Sequence, residues 1–223
     1  VSDTRRVVIS AHLDDAVLSA YSVLAAETQV VTVLAAIPSP GRVGGWDAEG
    51  GATDSHQRVQ ERCEEDLTAL ARCGAEAVHL EFADGQYVAA QMLPAPASED
   101  VQATLTRFMS DASEVYAPAG IGNAEHAFVR DVVLAVRPDA ILYADLPYAL
   151  KPEHGGFTLP RGLDASGRFS VDISLAASAV DAKLESVCAY TSQLAQLMED
   201  FGDFLNMEGL GRERFWQLGA RPQ

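Results

Sequence analysis

The sequence predicts an α/β fold, a doubly wound, mostly parallel, Rossmann-like sheet flanked by helices. Three observations predict it. Short β-branched runs alternate along the chain with segments whose apolar residues recur at helical spacing, the order that builds crossover units. The 223 residues are 48% apolar and 22% charged, the usage of a folded globular protein rather than a disordered or low-complexity chain. The unusual polar residues fall just after predicted strands, where sheets of this kind bind ligands. At this length one domain over 1–223 is expected, and no repeat or linker divides it.

The elements follow in order. Val7-Val8-Ile9-Ser10 reads as a first strand, and Ala16 to Ala26 carries helical periodicity after Asp14-Asp15. Gln29 to Ala35 repeats the buried-strand signature. The stretch from Pro38 to Gly51 is too rich in proline and glycine for either element, and loops of that length often serve as lids. A polar helix runs from Asp54 to Ala71, with Asp54 or Ser55 as N-cap and Cys73-Gly74 as its end, and Ala77 to Phe82 is the next strand. A helix over 98–112, a strand near Val115-Tyr116, a helix over 125–136 and the strand 140–143 continue the alternation. After a Pro/Gly-rich segment at 147–163, 169–173 reads as one more strand and 175–198 as one long amphipathic helix.

Charge narrows the partners. Lys and Arg total 16 against 32 Asp and Glu, a net −16, which opposes attraction to nucleic acid or an anionic membrane, and no basic patch offsets it. No apolar stretch reaches the roughly 18 residues of a membrane span. Val1 to Arg6 runs into the first strand without a signal-peptide pattern, so a cytoplasmic protein without membrane insertion is expected. Cys63, Cys73 and Cys188 are odd in number and lack CxxC spacing, which argues against a disulfide framework or a cysteine zinc site. The glycines from Gly41 to Gly51 match neither nucleotide-binding glycine pattern.

The chemistry gathers at Ser10-Ala11-His12-Leu13-Asp14-Asp15-Ala16. An imidazole and a carboxylate three residues apart across a strand-to-helix turn can converge on one divalent cation, leaving the other carboxylate free. The competing reading makes Asp14 and Asp15 caps of the following helix. A third ligand must come from another strand end, and the loop from Ala117 delivers His126 at a helix start. Two histidines and a carboxylate leave a fourth position for water, the usual catalytic zinc arrangement.

His12-Leu-Asp-Asp resembles the Ala-His-Pro-Asp-Asp-Glu signature of the PIG-L/LmbE-like family of zinc-dependent N-deacetylases, and His126 corresponds to the last histidine of that family's His-Pro-Asp-His motif. Weaker matches extend the resemblance over about residues 5–195: Arg62-Cys-Glu-Glu65 before Cys73-Gly74, Phe82-Ala-Asp84-Gly, and Lys183 with Tyr190-Thr-Ser192-Gln193. The resemblance implies an LmbE-type fold, Zn2+ held by His12, Asp15 and His126, Asp14 as general base, and Arg62 and Asp84 as holders of a sugar. The last two also read as a helix-surface arginine and a turn-forming Asp-Gly.

The departures are specific. Leu13 and Ala16 replace a proline and a glutamate that need not touch metal. Asn123 stands where the family has a histidine that stabilises the transition state, with Glu125 at the family's aspartate position. An amide still donates a hydrogen bond to an oxyanion but cannot protonate a leaving amine. His154 is a candidate for that missing acid, if its loop folds over the site; otherwise it is an exposed loop histidine. Asp145 and Tyr148 are placed to line a pocket, and His79 reads as structural. The expected function is hydrolysis of an N-acetyl or similar amide on an amino sugar or glycosylated small metabolite. The alternatives are amide cleavage in a thiol-sugar conjugate or natural-product intermediate, and a non-catalytic zinc or ligand-binding protein. The oligomeric state stays open.

Overall fold

A computed structural model of the protein describes residues 5–163 and 169–218; the start of the segment read for a signal pattern lies outside them. Among the described residues seven strands form one sheet in the order β3-β2-β1-β4-β5-β7-β6. These are β1 (Arg6–Ser10), β2 (Thr28–Thr32), β3 (Glu76–His79), β4 (Glu114–Pro118), β5 (Ile141–Tyr143), β6 (Ser170–Ser174) and β7 (Arg212–Gln217). The first five pair in parallel, and β7 runs antiparallel between β5 and β6. The predicted mostly parallel α/β sheet is the one observed. Val7, Val8 and Ile9 of β1 are completely buried, as a central parallel strand requires.

The helices are α1 (Asp15–Ser19), α2 (Gly45–Glu49), α3 (Ser55–Cys73), α4 (Gly85–Ala89), α5 (Ser98–Met109), α6 (Ala124–Val136), α7 (Ala177–Val187), α8 (Thr191–Phe201) and α9 (Met207–Leu210). Among the described residues, none is long and apolar enough to cross a membrane. Asp54 caps α3 by accepting the His56 N–H, and Gly74 ends it in the left-handed region at φ 75°, both as the sequence predicts.

Four expectations are corrected. The helix expected over 16–26 is only the five residues of α1 followed by a 3₁₀ turn at Tyr21–Val23. The buried Glu213 carboxylate accepts the N–H groups of Tyr21 and Ser22 at 2.9 and 3.0 Å and the Lys183 ammonium at 2.8 Å, so tertiary contacts override the helical pattern there. The helix expected over 175–198 is two, α7 and α8. Tyr190, at the break, is fully buried and donates its hydroxyl to Asp66 at 2.7 Å, an anchor that a continuous helix axis does not provide. The glycine-rich stretch after Pro38 contains α2. Finally, the strand expected at 169–173 and observed as β6 is followed by a further one, β7, Arg-Glu-Arg-Phe-Trp-Gln, whose Glu213 is the buried partner just described.

The order of strands reverses between β1 and β4. Ligands in open α/β sheets bind at such a switch point, beyond the carboxyl ends of the strands. His12 follows β1 and the loop to α6 follows β4, so topology alone brings the two histidine-bearing segments to one crevice.

Candidate metal centre

The turn after β1 is shaped by its own polar groups. Ser10 Oγ donates to the His12 carbonyl at 2.8 Å, the Asp14 N–H donates to the same oxygen at 3.1 Å, and Asp15 Oδ2 accepts the His12 N–H at 2.7 Å. Asp14 occupies the N-cap position of α1 but makes no side-chain cap hydrogen bond. Its helix-capping reading therefore fails. Asp14 and Asp15 are both buried, at 7% and 3% exposure, far lower than a solvated pair of charges tolerates without partners.

His126 enters from the first turn of α6. His12 Nδ1 lies 3.2 Å from His126 Nε2, and Asp15 oxygens lie 3.5 Å from the former and 3.4 Å from the latter. The geometry thus brings together His12, Asp15 and His126 as two nitrogens and one oxygen pointing at a common spot. Each imidazole has a carboxylate on its other nitrogen. Glu125 Oε2 is 3.1 Å from His12 Nε2, and Asp145 Oδ1 is 2.7 Å from His126 Nδ1. Asp145 in turn accepts the Ile121 N–H at 2.7 Å, and Glu125 accepts the Gly85 N–H at 2.6 Å. Carboxylates in this outer position fix the ring orientation and raise the basicity of metal-binding histidines.

The donor set fits Zn2+, which takes histidine nitrogen and carboxylate oxygen and keeps an open position in catalytic sites. The local field fits too. Burial works against the charged form of both imidazoles, yet Asp15 and Glu125 raise His12 well above its ordinary pKa, and Asp15 and Asp145 raise His126. A place that favours protons on two adjacent imidazoles favours a cation there. Asp15 shows the converse: burial pushes its carboxyl up, but His126 and His12 bring it below its usual value. For Asp14, burial and the repulsion of Asp15 prevail over the neighbouring cationic groups and push it up to about 7.

The cleft around these residues has a volume of about 270 Å³. Asp14, Arg62, Asp84, Asn123, Glu125 and Tyr148 line it, with Trp46, Leu146, Pro147 and Leu197 supplying apolar wall. Arg62 is not a surface residue of its helix. It is 5% exposed, pairs with Asp47 at 2.7 Å and lies over the Trp46 ring at 4.7 Å, and its Nε finds no partner among the described residues. Asp84 lines the cleft while also capping α4 through the Gln86 N–H. Asn123 is the N-cap of α6: its Oδ1 accepts the N–H groups of Glu125 and His126, and its Nδ2 donates to the Tyr148 hydroxyl at 2.9 Å.

His154 is a correction. It is not among the cleft-lining residues; its ring packs over Gly122, where a Cβ would meet Nδ1 at 2.5 Å, and Nδ1 lies 3.3 Å from the Tyr148 carbonyl oxygen. The loop folds towards the site, but it presents Tyr148 and keeps the histidine behind. His79 contacts Asp66 at 2.8 Å, away from the cleft. Sequence reasoning missed Trp46, Asp47 and the roles of Glu125 and Asp145. Of these, Glu125 carried a local signal in its place one residue before His126, and Asp145 in its place just past a strand.

Among solved structures, a triple mutant of the deacetylase involved in the teicoplanin biosynthetic pathway shares the fold at a TM-score of 0.76 and 25% identity, over 99% of this chain and 100% of that one. The fold is that of a teicoplanin deacetylase. The zinc-inhibited form of that enzyme gives 0.77 and 23%, again over 99% and 100%. The A40926 pseudoaglycone deacetylase gives 0.72 and 24% over the whole of both chains. A more distant neighbour, the 4-carboxy-2-hydroxymuconate hydratase of Pseudomonas putida KT2440, gives 0.57 and 16% over 98% and 97%. No family model and no curated protein matches the chain.

Proposed function

We propose that the protein is a zinc-dependent hydrolase that removes an N-acetyl or similar N-acyl group from an amino sugar or a glycosylated small metabolite. The observation that carries this reading is the convergence of His12, Asp15 and His126 beside a buried, cleft-facing Asp14. The fold shared with deacetylases supports it. His12, Asp15 and His126 would hold the ion. When bound, it supplies Lewis acidity to the amide carbonyl and makes a water molecule acidic near neutral pH.

The chain's own residues do the rest. Asp14 accepts a proton from the attacking water as its oxygen joins the carbonyl carbon, the work of a general base. The C–N bond then breaks, the nitrogen takes up a proton, and a carboxylate and an amine leave. With His154 outside the cleft, Asp14 is the group placed to return that proton. Glu125 and Asp145 hold the two imidazoles in orientation. Arg62 and Asp84, which line the same cleft, present a guanidinium and a carboxylate suited to sugar hydroxyls.

A panel of N-acetylated sugars and glycosides, assayed for amine and acetate in equal amounts with the zinc-loaded protein, tests the reading. Equimolar release that disappears in Asp14→Asn is the expected result. The hydratase neighbour favours a second reading, addition of water to a carbon–carbon double bond. Turnover of an unsaturated tricarboxylate with no amine from any amide would establish that reading instead.

A further inference from the structure

The cleft holds a hydrogen-bond donor whose direction can be worked out from its neighbours. Asn123 Oδ1 accepts two backbone N–H groups, from Glu125 at 2.8 Å and His126 at 3.4 Å. Backbone amides only donate, so the orientation of the Asn123 side chain is settled by chemistry: its oxygen faces α6 and its NH₂ faces Tyr148. The contact of 2.9 Å between Nδ2 and the Tyr148 hydroxyl is therefore a bond that Tyr148 accepts. The hydroxyl's own proton must point elsewhere, and among the described residues no acceptor takes it. Tyr148 lines the cleft with His12, Asp14 and Asp15, and its ring meets that of His126 edge-on at 5.2 Å and that of Phe201 at 4.9 Å. Packed on both sides, the phenol cannot swing away.

We propose that Tyr148 is a further catalytic residue, donating its hydroxyl hydrogen bond to the oxyanion that develops on the amide carbonyl oxygen, and that Asn123 is the positioning residue that aims it. This rests on the deacetylase reading. The proton stays on Tyr148 throughout, so no transfer through the ring is needed. The arrangement also accounts for Asn123 itself. An amide there is not a defective acid but a side chain that caps α6 with its oxygen and still donates to a phenol.

Two variants separate the roles. Tyr148→Phe keeps the ring packing and removes only the hydroxyl. Asn123→Asp keeps the helix cap, because a carboxylate accepts the same two N–H groups, but offers Tyr148 an acceptor and so draws its proton out of the cleft. The probe is acetohydroxamate, whose oxyanion binds beside a zinc ion, titrated calorimetrically into zinc-loaded protein, with zinc content measured in each variant. The expected result is about tenfold weaker binding in either variant, the worth of one hydrogen bond to a charged group. The double variant is expected to lose no more than Tyr148→Phe alone, and zinc content to stay at the wild-type level. In turnover of any amide that the enzyme cleaves, kcat falls about a hundredfold with KM little changed. Equal acetohydroxamate affinity in wild type and Tyr148→Phe, with zinc bound in both, overturns the proposal while leaving the deacetylase reading intact. Wild-type protein that binds neither zinc nor acetohydroxamate overturns both.

Discussion

Asp14 and Asp15 are neighbours with the same side chain and opposite electrostatic fates. Asp15 is turned back onto the His12 N–H and sits between two imidazoles, which favour its charge; Asp14 has lost water without gaining such partners. In the proposed mechanism the same division separates a ligand from a base. Asp14→Asn is expected to keep wild-type zinc content and to lower kcat by about a thousandfold, within the usual range for removing a general base. Near-normal turnover in that variant would contradict the role. Asp145 makes a separate prediction. Its carboxylate holds His126 Nδ1 at 2.7 Å, so Asp145→Asn should weaken zinc affinity by about tenfold to a hundredfold, measured by competition with a chelator. At this scale the sequence was informative where the residues are close in the chain or match a family motif, as with His12, Asp15 and His126, which the structure gathers, and the cleft-lining Asp14. It was silent on Asp47, which touches Arg62 only after α2 and α3 have packed, and it offered both His154 and Tyr148 from one loop, of which only Tyr148 lines the cleft.

At the level of elements, the substrate wall depends on a clamp. Asp47 of the five-residue α2 is completely buried, accepting hydrogen bonds from Ser55 Oγ at 2.5 Å and Tyr87 at 2.9 Å and pairing with Arg62. A helix so short has no stability of its own. One carboxylate ties it to α3 and α4 and thereby seats Trp46 over the Arg62 guanidinium. Removing one partner of a buried pair leaves the other charge uncompensated, so Asp47→Ala is expected to cost about 3 kcal/mol in urea unfolding. It should also raise KM more than it lowers kcat, since the residues proposed to hold the metal lie on other elements. Most of the elements that periodicity recovered, β1, β2, β4 and β5 with α3, α5 and α6, bury a regular face. Those it missed or mis-sized, α1, α2, the α7–α8 break and β7, are placed by single buried polar anchors such as Glu213, Asp47 and Asp66, which look like surface charges in a linear reading.

For the molecule as a whole, the strand order does most to create the site, because it brings the ends of β1 and β4 together although 108 positions separate their paired residues Arg6 and Glu114. The alternation of elements showed that crossover architecture in advance; the antiparallel β7 insertion was hidden. A second polar junction holds the periphery together. Asp66 of α3 meets His79 of β3 at 2.8 Å and Tyr190 between α7 and α8 at 2.7 Å. Burial disfavours the charged imidazole, but Asp66 outweighs it and raises His79 from 6.5 to about 9. The folded value lies above the unfolded one, so the contribution is whole below pH about 6.5 and fades as pH rises through 9. The difference in unfolding free energy between wild type and His79→Gln should accordingly be largest near pH 6 and largely gone by pH 10. A difference that does not change over that range would show that the imidazole is held neutral.

The central claim is that one divalent cation sits among His12, Asp15 and His126. Elemental analysis of zinc in the wild-type protein beside His12→Ala and His126→Ala, after loading and removal of excess metal, tests it most directly. The account predicts about one zinc per chain in the wild type and almost none in either variant, with both variants still folded by circular dichroism. A wild-type protein that stays metal-free under loading, or variants that hold zinc as well as the wild type does, would contradict it.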